Sequence, residues 1–193
     1  AYEIEVGLEF RRVLFRSKAL EAASVFGADG DAHPAVNYLN NTAGKIYLGG
    51  PITGRQPPVH YDFRSRRDTP NELRAYFRKV GWRRIVAFQT RNPLHRAHEY
   101  ALVYGAETLA RAGHFTGVVL NPLVGELKGD DVPASTRMQC YRLLHDQRLL
   151  GEGDKDEELW KSVGYDISEV FELIGLDIKM FYAGPCEAVM HAI

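Results

Sequence analysis

Cysteine is scarce in this sequence, neither sign of charge predominates, and no apolar run is long enough to cross a bilayer. The two cysteines, Cys140 and Cys186, stand far apart and in no CxxC or other metal-ligand spacing. That excludes a cysteine-rich framework, and free thiols in a reducing cytoplasm are the simple reading. Lys plus Arg number 24 against 25 for Asp plus Glu. So even a balance gives no broad electrostatic reason to bind nucleic acid or an anionic membrane, and neither is expected as a partner. Any recognition of an oxyanion must be local. No stretch approaches the roughly 20 apolar residues that span a membrane, and the amino terminus lacks the pattern of a signal peptide, so a cytoplasmic location is expected.

What is present describes an ordinary soluble protein. Hydrophobic residues make up 45% of the chain and charged residues 25%, near globular averages. A chain of 193 residues can hold one α/β domain, or one domain and part of another. It opens at Ala1 without methionine and closes on Glu187-Ala-Val-Met-His-Ala-Ile193, which reads as an unfinished helix. The sequence is therefore expected to be a piece of a longer chain.

Glycine and proline punctuate the stretch from Gly49 to Pro58 and on to about Asp68, which predicts a junction between domains. Upstream, residues 44–49 read as a short strand, and residues 33–39 as a short helix with Pro34 in its first turn. Downstream, Thr69 can cap a helix beginning at Pro70, with Glu72 at the third helical position and Gly81 as the stop. Arg84-Ile-Val-Ala-Phe88 and Thr116-Gly-Val-Val-Leu120 read as buried strands, and residues 98–112 between them have helical periodicity. Strand, helix, strand in that order predicts a βαβ unit with a parallel sheet. A further helix is expected over 133–144. The acidic stretch 151–158 reads as a solvated loop or insertion.

Ligands of open parallel sheets bind beyond the carboxyl ends of strands, where helix amino termini offer free N–H groups. The segment in that place here is Gln89-Thr-Arg-Asn-Pro-Leu-His-Arg-Ala-His98. Arg91 offers a planar fork for a tetrahedral oxyanion, and Gln89 and Asn92 add neutral donors. Pro93 stiffens the turn. An ordinary surface turn with a solvated arginine is the bland alternative. His95 and His98 are three apart and share a helix face, so both could reach one phosphate. Zinc is a weaker reading, because His95-Arg-Ala-His-Glu99 matches neither HExxH nor its inverse, and no protein metal site is expected. A hydrogen-bonded core histidine is the remaining alternative, more so for His98.

The segment 89–98 closely resembles the signature loop of ATP sulfurylases and, in spacing, the HxGH loop of the wider nucleotidyltransferases. Further landmarks of the same resemblance are Tyr47-Leu-Gly-Gly-Pro51, Tyr61-Asp-Phe63, Thr69-Pro70, Gly81-Trp82, Asn121-Pro-Leu-Val-Gly125, Lys128, Asp130 and Ala183-Gly-Pro185. The resemblance implies an α/β fold. Residues 67–193 would form a parallel-sheet, Rossmann-type nucleotidyltransferase domain, incomplete at its carboxyl end, preceded by part of a PUA-like domain over residues 1–66. Asn121 stands where the family commonly has His, and Phe181 and Cys186 where it commonly has Arg. Residues 9–17 fit no pattern of the family and are set aside as evidence about fold.

The resemblance also implies roles. Gln89 and Arg91 would contact sulfate, Gln89, Thr90, Arg91 and Asn92 the nucleotide, and His95 and His98 the transition state; Thr90, Arg91 and Asn92 match positions that the family counts as active-site residues. The implied reaction is in-line attack of a sulfate oxygen on the α-phosphorus of Mg–ATP, giving adenosine 5′-phosphosulfate and pyrophosphate, or its reverse. Mg2+ would enter with ATP, and the full-length protein would be a homo-oligomer. The family's later Gly-Arg-x-His segment is not in this sequence, so the chain by itself is expected to lack useful activity. The rival readings are another HxGH-type adenylyltransferase and a non-catalytic PUA-like fragment that binds RNA.

Overall fold

The computed structural model describes residues 12–15, 17–51, 53, 54, 56, 58–125, 131–178 and 180–192, with side chains from residue 17 to residue 191. The described residues fall into two compact units, one formed by residues 60–178 and the other by those up to Val59 together with those after Ile178.

In the smaller unit β1 (Arg12–Phe15) pairs antiparallel with β2 (Ile46–Gly49), Arg12 opposite Gly49 and Phe15 opposite Ile46. Part of the segment set aside on sequence thus forms a regular strand; residues 9–11 and 16 lie outside the described residues. Ser17 caps α1 (Lys18–Glu21), a π-helical turn follows over Ala22–Phe26, and α2 spans Pro34–Asn41. Pro34 opens α2, where its missing N–H is no loss, two residues longer at the far end than the pattern predicts. Ala22, Val36 and Leu39 form a small apolar cluster. The same unit holds the turn over 181–184, where the buried Glu187 carboxylate accepts the N–H groups of Phe181 at 2.8 Å and Ala183 at 2.9 Å.

In the larger unit Thr69 and Glu72 form the expected capping box: Thr69 Oγ1 accepts the Glu72 N–H at 3.3 Å and Glu72 Oε2 accepts the Thr69 N–H at 2.7 Å. The two hydrogen bonds hold the Glu72 carboxyl below its usual range. The helix they open, α3 (Pro70–Lys79), ends in a Schellman turn, with the Trp82 N–H donating to Phe77 O at 3.0 Å and Gly81 at a φ of 76°. That left-handed turn sets Trp82 face to face with Phe77.

The sheet follows. Strand β3 (Arg84–Thr90) is parallel to β4 (Thr116–Pro122), and β4 to β5 (Phe171–Leu173), giving the order β3-β4-β5. Helix α4 (Arg96–Arg111) connects β3 to β4, so the predicted βαβ unit is present. Both strands run two residues beyond the apolar runs that announce them, because Gln89-Thr90 continue the ladder opposite Asn121-Pro122. Core residues Leu102, Val103, Ala106 and Ala110 of α4 pack with Val118 and Leu120 of β4. Met138 and Tyr141 come from α5 (Ala134–Asp146), and Trp160 from α6 (Glu157–Val163). Gly117 is required: the Trp82 ring lies where its side chain would be, 1.8 Å from an added Cβ.

The stretch 151–158 is the exposed turn the sequence predicts at residues 152–154, but it is also a strap fastened to α4, and its last two residues, themselves exposed, belong to α6. Two buried carboxylates of α4 explain this: Glu99 Oε1 accepts the Gly151 N–H at 2.8 Å, and Glu107 Oε1 accepts the Asp156 N–H at 2.6 Å and the Trp160 indole N–H at 3.3 Å.

Candidate active site

The carboxyl ends of β3 and β4 lie side by side, and the loop from Gln89 to His98 leaves from that edge. Asn121 turns its amide inward to donate to Ile174 O at 3.2 Å, which ties the end of β4 to the chain after β5. Lys128 and Asp130 lie outside the described residues.

The loop is built as a rigid turn. Thr90 is 7% exposed; its Oγ1 accepts the Asn92 N–H at 3.0 Å and donates to Asn92 O at 3.1 Å. The same carbonyl accepts the Tyr141 hydroxyl at 2.6 Å. Tyr141 is 1% exposed, and burial raises its pKa. The Thr90 hydroxyl is thus engaged within the turn.

Gln89 has its Nε2 buried and without a hydrogen-bond partner among the described residues. A buried donor left unpaired is costly, and such groups ordinarily find a water or a ligand. Arg91 is partly exposed, and its Nη1 forms an ion pair with Asp131 Oδ1. That carboxylate, 9% exposed, escaped the sequence reading because the partner is forty positions away. Arg137 also escaped it. Its fully buried guanidinium donates to Val132 O at 2.8 Å and Leu123 O at 2.9 Å, bracketing the segment that carries Lys128 and Asp130. The one available signal was an arginine among the core-facing positions of a helix.

His95 is the N-cap of α4. Its Nδ1 accepts the Ala97 N–H at 3.2 Å, and Nδ1 of His98 faces the His95 N–H at 3.5 Å. The rings stack with centroids 3.8 Å apart. An imidazole nitrogen that accepts a hydrogen bond carries no proton, so both rings are neutral and hold their hydrogen on Nε2. Burial, and then the neighbouring His95, push the His98 pKa down, in keeping with a neutral ring. The pair therefore offers two Nε2–H donors at the positive end of a helix.

The predicted residues thus lie on one continuous segment that runs from the end of β3 into the first turn of α4. Its donors are an amide, a guanidinium and two imidazole N–H groups, which suits an anion. Among the described residues no group of three or more His, Cys, Asp or Glu could hold a metal ion. No helix among them is long and apolar enough to cross a membrane.

A family profile described as ATP-sulfurylase matches residues 64–193. A sulfate adenylyltransferase of Pyropia yezoensis is 50% identical over 173 residues, which cover 88% of this chain and 41% of the relative. A sulfate adenylyltransferase of Chaetomium globosum is 41% identical over 176 residues, 91% of this chain and 26% of the relative. Among solved structures, a hexameric APS kinase from Thiobacillus denitrificans aligns with a TM-score of 0.54 and 26% identity, over 77% of this chain and 25% of its own. The chain spans less than half the length of each of these proteins.

Proposed function

The chain belongs to the ATP-sulfurylase family, and from that premise we propose that the protein carrying it is a sulfate adenylyltransferase. It joins sulfate to the adenylyl group of ATP with release of pyrophosphate, or runs the same reaction in reverse. The observation that carries this reading is the buried Gln89 Nε2, without a hydrogen-bond partner among the described residues, two residues before the Arg91 fork on a segment that ends in two imidazole N–H donors. Gln89 and Arg91 hold sulfate through directed hydrogen bonds. The backbone of Gln89 to Asn92 lies along the nucleotide phosphates. A sulfate oxygen attacks the α-phosphorus in line, the bond to the bridging oxygen of pyrophosphate breaks, and the Nε2–H groups of His95 and His98 meet the charge that builds on the phosphoryl oxygens. Such transfer rests on positioning and charge stabilisation, and it needs no covalent intermediate.

Mg2+ enters with ATP, bound by phosphate oxygens and water, as suits a cation that gives up its water reluctantly. The relatives are longer, so the complete site and a homo-oligomeric assembly belong to the full-length protein, and this chain alone has little activity. A cytoplasmic setting agrees with two exposed free thiols.

The test is isotope exchange between pyrophosphate and ATP in the full-length protein with and without sulfate. Exchange that depends on sulfate supports the reading. Exchange that proceeds without sulfate, or only with a phosphorylated small molecule, would assign the site to another adenylyltransferase.

A further inference from the structure

Arg96 stands between the two histidines, where a guanidinium would ordinarily be read as one more phosphate ligand. Its bonds run elsewhere. Nη1 donates to Glu99 Oε2 at 3.0 Å and to Glu152 O at 3.0 Å, and Nη2 pairs with Asp154 Oδ2 at 2.8 Å. Glu99, 7% exposed, uses its other oxygen on the Gly151 N–H. The turn that receives these bonds is tight: Gly151 and Gly153 have φ of 82° and 80°, and a Cβ on Gly151 would lie 3.0 Å from Ile167 Cγ2. The first turn of α4 is therefore clamped to the strap at its near end. The far end is clamped separately, by Arg111 to Glu107 at 3.3 Å and to Asp156 at 2.8 Å.

A helix begins with N–H groups that lack intrahelical partners, and its first turn frays easily. The caps here are two imidazole nitrogens at 3.2 and 3.5 Å, long for hydrogen bonds. Such caps hold a tautomer only if the turn beneath them is fixed by something else. We propose that Arg96 and Glu99 are positioning residues: through the strap over 151–154 they fix the first turn of α4, so that both imidazoles keep Nδ1 on the backbone and present Nε2–H to the reacting phosphate. Neither residue touches substrate. The inference rests on the proposed sulfurylase reading for its kinetic consequence, although the placement of the two rings can be measured without it.

The experiment compares Arg96→Met, Arg96→Lys, Glu99→Gln and Arg111→Met in the full-length protein. Arg96→Met should lower kcat about tenfold, a fraction of the hundredfold that 1 Å of misplacement can cost, with KM for ATP within about twofold. Arg96→Lys still reaches one carboxylate and should return to within about threefold of wild type. Glu99→Gln keeps a carbonyl for the Gly151 N–H and tests the ion pair without emptying a buried site. Arg111→Met loosens the far end of the strap and should lower thermal stability as much as Arg96→Met while leaving kcat unchanged. Long-range proton–nitrogen NMR spectra should show His95 and His98 as Nε2–H tautomers in wild type and as mixtures in Arg96→Met. Equal kcat losses in Arg96→Met and Arg111→Met, or tautomers unmoved by Arg96→Met, would overturn the proposal. If the unsubstituted protein shows no sulfate-dependent exchange, the sulfurylase reading falls alone and the tautomer comparison still decides the positioning.

Discussion

The carbonyl of Asn92 receives two hydroxyls, Thr90 Oγ1 at 3.1 Å and Tyr141 Oη at 2.6 Å, and this sharing makes a quantitative prediction. Tyr141→Phe removes one of the two donors and leaves the acceptor satisfied, so it should cost about 1 kcal/mol, the usual net worth of a hydrogen bond. Thr90→Val is nearly isosteric and removes the other donor, along with the acceptor for the Asn92 N–H at 3.0 Å. Its cost should be about 1–2 kcal/mol. In the double variant the carbonyl loses both partners, and the loss should exceed the sum of the singles by about 1 kcal/mol. Urea unfolding followed by tryptophan fluorescence reads this directly, since both tryptophans, Trp82 and Trp160, lie in the unit that holds the sheet. Turnover should fall with stability, because the same carbonyl fixes the turn that aims Arg91. Additivity within about 0.3 kcal/mol would refute the shared acceptor and with it the account of why the loop is rigid.

Arg91→Lys keeps the charge but loses the fork that grips Asp131 with one arm, so sulfate-dependent turnover should fall on the order of a hundredfold; retention within about threefold would remove Arg91 from the sulfate site. His98 has its pKa pushed down, so the unfolded chain takes up a proton that the folded one refuses as the pH drops below about 6.5. Stability and activity should both decline there, and His98→Gln should flatten the stability profile; an unchanged profile would contradict the neutral capping imidazole. Gly117→Ala places a methyl group 1.8 Å from the Trp82 ring, beyond what side-chain adjustment absorbs, and should destabilise by at least about 1–3 kcal/mol. A melting temperature within about 2 °C of wild type would show that Trp82 can leave β4 at little cost.

The sequence by itself determined what is local. The capping box at Thr69 and Glu72, the stop at Gly81, the buried β-branched strands and the helix between them depend on contacts between near neighbours, and each is visible in residue order. The cluster of hydrogen-bonding side chains in 89–98 was legible for the same reason, since it follows one strand in unbroken sequence. Tertiary structure decided the rest, because the deciding partners are distant in the chain. Asp131 on Arg91, Tyr141 on Asn92 and the strap on Glu99 and Glu107 join positions forty or more residues apart. The same holds for the direction of each imidazole. Residue spacing places two histidines on a helix face, but only the closed first turn of α4 commits both Nδ1 atoms to backbone N–H groups and turns both Nε2–H groups into donors.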